Sequence, residues 1–112
     1  MKRIEAIIRP TMVTQVCAIL DKVGYSGVTI SDVEGHGSQK GTERRVRGVM
    51  HRVPFVAKKR LVFIVKDKEV DGIMKTIREA VSTGEIGDGK IFVSSMDNAM
   101  RIRTGEIGEI AV

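Results

Sequence analysis

An α+β domain, a four-stranded antiparallel sheet with two helices on one face, is the fold this sequence predicts. Three observations carry the prediction. Two segments place apolar residues at helical spacing. Four short segments are rich in β-branched residues or alternate with period two. Their order is β-α-β, a long irregular stretch, then β-α-β again, so the two halves share one plan. That is the ferredoxin-like, split β-α-β arrangement, in a single domain spanning residues 1–112.

The first strand is RIEAIIR, residues 3–9, with Ile4, Ala6 and Ile8 on one face. Pro10 has no N–H to give a ladder and stops it, leaving Thr11 as the expected N-cap of a helix. The stripe Val13, Val16, Cys17, Leu20 and Val23 continues that helix until Gly24 supplies a left-handed end. Cys17 on such a stripe reads as a buried structural thiol. A second strand follows over residues 27–35, GVTISDVEG. Residues 36–55 then lose all periodicity, and a loop of that length in a small domain is usually functional.

Order returns in KRLVFIVK, residues 59–66, where both alternations are apolar. The face of the sheet away from the helices therefore needs cover, which a second subunit would provide. Asp67 is the expected cap of a second helix with the stripe Val70, Ile73, Met74, Ile77 and Val81, ending at Gly84. The fourth strand is KIFVSSM, residues 90–96, and a tail, AMRIRTGEIGEIAV, closes the chain.

Composition narrows the function. The chain carries a net charge of +5, which suits an anionic partner. With no tryptophan, one tyrosine and three phenylalanines, stacking platforms for nucleic acid are scarce, whereas small anions such as nucleotides need none. No apolar run approaches the ~20 residues that span a bilayer. MKRIEAIIRP has charges inside its apolar stretch and no cleavage-like site, and one cysteine builds no disulfide framework. A cytoplasmic location is the expectation.

Catalysis finds little support. His36 and His51 have no Cys or carboxylate partner at ligand spacing, so a metal site is not indicated, and no nucleophile–base pair is suggested. The anion-binding inventory is richer. Between Gly84 and Lys90, three glycines, two carboxylates and one lysine occupy seven positions directly before an apolar strand. Such a stretch is either a generous turn or a cradle in which backbone N–H groups approach a phosphate. Lys40, Lys58, Lys90, Arg101 and Arg103 flank glycine-rich or strand-end positions, and together could hold a polyphosphate. Arg101 and Arg103, two apart, share a face if the tail is extended.

Four motifs add a resemblance: EAIIRP (5–10), GHGSQKG (35–41), TGEIGDGKIFV (83–93) and RIRTGE (101–106). With their spacing and the element order, they resemble the PII signal-transduction family, the nitrogen-regulatory proteins, over essentially the whole chain. The resemblance implies a homotrimer with ATP or ADP bound in clefts between subunits. It implies a partner-binding T-loop over about 37–55, a phosphate-contacting B-loop over about 82–90 and a C-terminal segment over about 100–112. Gly87, Asp88, Gly89 and Lys90 match the B-loop; Arg101 and Arg103 match arginines that close the site from the neighbouring subunit. Gly35 and Gly37 match the glycines of the T-loop base, Ser38 stands at a nucleotide-contacting position, and Thr29 matches a position near the adenine. Gln39 matches the side chain that holds magnesium with 2-oxoglutarate, and Arg9, Lys40 and Lys58 lie among positions expected near that ligand's carboxylates.

Departures accompany the match. The modifiable tyrosine of the family is His51 here, and a modifiable serine of some relatives is Val49. An arginine usual at position 38 is Ser38, and a glutamate common at position 62 is Val62. The T-loop is densely basic, with Arg44, Arg45, Arg47 and Arg52. The resemblance thus implies a non-enzymatic regulator switched by ligands, with Arg47 inserting into a target such as an ammonium channel or acting on a nitrogen-metabolism enzyme. Membrane contact would come only through a transporter. The alternatives are a divergent regulator of another transporter or nitrogenase, and a basic nucleic-acid-binding ferredoxin-like domain.

Overall fold

The structure, a computed structural model, describes residues 1–25, 27–36, 43–46, 49–52 and 55–112, with 43–46 and 49–52 described as backbone. Strand β1 (Lys2–Ile8) leads through a 3₁₀ turn, Pro10–Met12, into helix α1 (Val13–Lys22). Strand β2 (Thr29–Gly35) follows, then a short hairpin of β3 (Glu43–Val46) and β4 (Val49–Arg52). The second half repeats the plan with β5 (Val56–Val65), helix α2 (Val70–Val81) and β6 (Lys90–Ser95). The main sheet has the order β2-β5-β1-β6 and is antiparallel throughout. This is the predicted ferredoxin-like sheet. The hairpin was not predicted, because strands as short and arginine-rich as ERRV carry no apolar alternation to read.

Register explains the core. Ile4 faces Phe63 and Ala6 faces Leu61 across β1 and β5, and directly opposed residues share a face of the sheet. Ile4, Ala6, Ile8, Leu61, Phe63 and Val65 are buried there beneath Val16 and Leu20 of α1 and Ile73, Ile77 and Val81 of α2. Met74 and Cys17 are half-buried rather than fully enclosed, and Val23 is exposed, so the predicted stripes run slightly wider than the buried ones.

Both predicted caps fail. Neither Thr11 nor Asp67 caps a helix with its side chain, because each lies inside a 3₁₀ turn that precedes the helix. Asp67 instead pairs with the amino group of Met1 at 2.8 Å, which holds its carboxyl below the usual carboxylate range. Gly24 behaves as expected. It has φ +93°, with Gly24 N–H donating to Asp21 and Tyr25 N–H to Leu20, the paired bonds of a Schellman end. Helix α2 stops at Val81, before Gly84, because Ser82 is already extended.

On the opposite face, Glu5 accepts from Arg60 at 2.8 Å and Arg3 at 3.0 Å, flanked by Ile7, Val62, Ile64 and Phe92. Arg60, then Arg3, lowers the Glu5 pKa against the opposing effect of burial. Among the described residues no helix is long and apolar enough to cross a membrane.

Candidate functional site

Residues 83–90 must carry the chain from α2 to β6, and they do so around one carboxylate. Asp88 Oδ2 accepts the backbone N–H of Thr83 at 2.9 Å and of Gly84 at 3.0 Å. Its Oδ1 accepts the Thr83 hydroxyl and the Arg9 guanidinium. These donors, the Thr83 hydroxyl foremost and Arg9 next, hold the Asp88 carboxyl well below the usual carboxylate range. Arg9 also donates to the carbonyl of Ile86 at 3.0 Å, and Lys58 to the carbonyl of Gly87 at 2.6 Å. Burial, then Arg9, pulls the Lys58 pKa down, while Asp88 pulls it up. The turn is stapled from the residue that follows β1 and from β5.

The glycines make the close fit possible. Gly84, Gly87 and Gly89 have φ of +80°, +106° and +98°. At Gly89 a Cβ would lie 1.8 Å from the Ile7 carbonyl oxygen, so any side chain would displace backbone. Beside this turn, on the face away from the helices, is a cleft of about 480 Å³. Gly35, Lys58, Gly87, Gly89 and Lys90 line it, with Ile7 and Phe92 as apolar walls. Arg9 and Asp88 pair within the adjoining turn and do not line the cleft.

Arg101 and Arg103 lie elsewhere. The tail is not extended: Met100 bridges Ile107, and Gly105 N–H donates to Arg101 O at 2.8 Å, folding residues 101–105 into a turn. The shared face expected of the two arginines is therefore lost. Arg101 is tied to Glu106 at 3.1 Å and to the Ile110 carbonyl at 3.3 Å, while Arg103 is exposed. Arg101 lines a second cleft, also about 480 Å³, with Tyr25, Gly27 and Ile64. Ile64 is six residues from Lys58 along β5, which separates the clefts by roughly 20 Å of strand. Thr29, opposite Val62 and exposed, lies toward the Arg101 end. Within one chain the described cations of that set form two groups.

Gly37, Ser38, Gln39, Lys40 and Arg47 lie outside the described residues. Arg44 and His51 oppose each other in the β3–β4 hairpin, as do Glu43 and Arg52, with Arg45 opposite Met50. Among the described residues no three His, Cys, Asp or Glu side chains gather to hold a metal ion. Sequence reasoning missed Thr83 as the partner of Asp88, His36 beside Lys58 in the first cleft, and the apolar walls Ile7 and Phe92. The Thr83–Asp88 spacing was a readable local signal; the Arg9–Asp88 pair, 79 residues apart, was not.

Comparison with known proteins gives one answer. A family model described as Nitrogen regulatory protein P-II matches residues 1–106. The chain is 46% identical over 112 residues to the Nitrogen regulatory protein P-II of Microchaete diplosiphon, covering all of both chains. It is 47% identical over 110 residues to the P-II homolog of Arabidopsis thaliana, covering 97% of this chain and 56% of that one. A solved structure, Arabidopsis thaliana PII bound to citrate, superposes with a TM-score of 0.79 at 43% identity, covering 99% of this chain and 91% of the other.

Proposed function

This chain belongs to the nitrogen regulatory protein P-II family, and from that premise we propose that it senses ATP or ADP at subunit clefts of a homotrimer. It is a regulator, as its relatives are named, rather than an enzyme. The observation that carries the proposal is the division of cations. Lys58 and Lys90 stand at the glycine turn, and Arg101, two residues before exposed Arg103, at the other end of the sheet. A head-to-tail ring closes such a division, because each turn meets the tail of the next copy. It would also cover Ile7, Val62, Ile64 and Phe92 on the face away from the helices.

A nucleotide suits the turn side. Gly89 admits no side chain, so backbone can approach phosphate closely, and exposed Lys90 adds charge. Asp88 spends its carboxylate holding the turn, so its contribution to an anion would come from main chain. Ile7 and Phe92, with Thr29 of the neighbouring copy, would flank the base.

The second part is 2-oxoglutarate as effector, bound with Mg-ATP. Lys58 and Arg9 converge on the turn and would attract its carboxylates, joined by Lys40, while Gln39 would share the magnesium with the triphosphate. Citrate on the solved relative is a polycarboxylate, which supports organic-acid binding in this fold. The readout would be residues 37–55, with Arg47 contacting a cytoplasmic face of an ammonium channel or a nitrogen-metabolism enzyme and Arg44, Arg45 and Arg52 steering. His51 and Val49 lack the hydroxyls for covalent switching, which leaves ligands to select loop states. Calorimetry tests the ligand logic. 2-Oxoglutarate should bind with Mg-ATP and not with ADP, which lacks the γ-phosphate; equal binding with both contradicts it.

A further inference from the structure

A third cleft, of about 520 Å³, lies on the helix side of the glycine turn, between α2 and the start of β6. Its floor is apolar. Ile8, Ile77 and Val81 are buried core residues, and Met74 and Ile91 are half-buried against them. Its rim is cationic, formed by the exposed residues Lys75 and Arg78, while Lys90, paired with Ile7, turns its side chain to the other face of the sheet. The one carboxylate among the described lining residues is Asp88, and its oxygens are occupied by Arg9, Thr83 and Gly84. Glu79 stands 4.0 Å from Lys75, both exposed, and neutralises little of it. Arg78 has no acidic partner among the described residues.

An apolar floor with cations along one rim matches a molecule with an aliphatic chain and an anionic head. Methylenes leave water for the floor, while a guanidinium receives a carboxylate through two parallel N–H bonds. The volume falls within the range of small-molecule clefts. We propose that this cleft binds a free medium-chain carboxylate, with Arg78 as its principal anchor and Met74 and Ile91 under its chain. The site goes beyond the nucleotide reading and does not depend on it. Gly89 and Lys90 line both clefts, so the two sites share a stretch of main chain and not a cation.

The test is calorimetry on the full chain with hexanoate, octanoate and decanoate, each below its micelle concentration. Saturable binding is expected, tightening roughly threefold to fourfold per added methylene until the floor is filled. Decanol should bind about tenfold more weakly than decanoate, for want of the charge-assisted bonds. Arg78→Glu, on the surface, and Met74→Glu, in the floor, should each weaken decanoate about tenfold or more, and Met74→Leu should retain it. No saturable binding, affinity independent of chain length, or undiminished affinity in Arg78→Glu overturns the proposal. ATP titrated into Arg78→Glu reports separately on the nucleotide site, whose failure would leave the decanoate result intact.

Discussion

The two ends of the sheet hold their cations in opposite ways. At the glycine turn, Arg9 and Lys58 are spent on the protein itself, clamping Asp88 and the carbonyls of Ile86 and Gly87. Among the described cations there, Lys90 is the exposed one. At the tail, one arginine is half-committed to Glu106 and Arg103 is simply exposed. The turn is thus a shaped stretch of backbone pinned by side chains, and the tail is a source of charge with little shape of its own. The difference teaches that, under the proposed nucleotide reading, each end would supply only half of a site. Under that proposal the turn would supply preorganisation and the tail neutralisation, a division that suits a site shared between copies.

Breaking the shape of the turn should have the largest effect. Gly89→Ala forces a Cβ into the Ile7 carbonyl at positive φ, and we expect a loss of more than about 2 kcal/mol of stability in urea unfolding. Gly105→Ala, at the tail, meets no atom within 4 Å at φ +75° and should cost only about 1 kcal/mol. Equal costs would erase the contrast between a rigid turn and a permissive tail.

Charge comes next. Lys90→Ala and Arg103→Ala should each weaken ATP by roughly tenfold, seen by calorimetry, with little change in unfolding. Arg101→Ala should do both, because it also releases Glu106 and the Ile110 carbonyl.

A pH titration sharpens the comparison. Asp88, Glu5 and Asp67 all have folded-state pKa values below their ordinary ones. Their stabilisation is present above the ordinary carboxylate pKa and is lost as pH falls through the folded-state values. Acid unfolding should therefore be less steep in Asp88→Asn than in the parent chain, and an unchanged slope would count against the Asp88 staple. The smallest effect is expected at Tyr25, which accepts Lys66 N–H at 3.1 Å and bonds Glu69. Tyr25→Phe should cost about 1 kcal/mol by thermal unfolding.

What the sequence disclosed follows the reach of each force. The stripes Ile4–Ala6–Ile8 and Val70–Ile73–Ile77–Val81 were legible because burial imposes its period on neighbouring residues. The glycine turn was legible as a turn because its glycines stand together in the chain. Caps were misread at Thr11 and Asp67, since local rules could not foresee the 3₁₀ turns or the Met1 amine waiting for Asp67. The staples from Arg9 and Lys58 are pairings across the fold, 79 and 29 residues from their partners, and leave no spacing signal. Arg101 and Arg103 read as part of one cluster because charge alone does not say which end of a sheet it occupies.

The central claim is that the site is shared between copies, and mixed assembly tests it most directly. Lys90→Ala chains keep the tail and Arg103→Ala chains keep the turn, so a ring containing both has an interface that joins an intact turn to an intact tail. Co-refolded mixtures of the two variants should regain ATP sites of parental affinity, about one per mixed trimer, although neither variant has any alone. If the mixture binds ATP no better than the two variants measured separately, the site lies within one chain and the account is wrong.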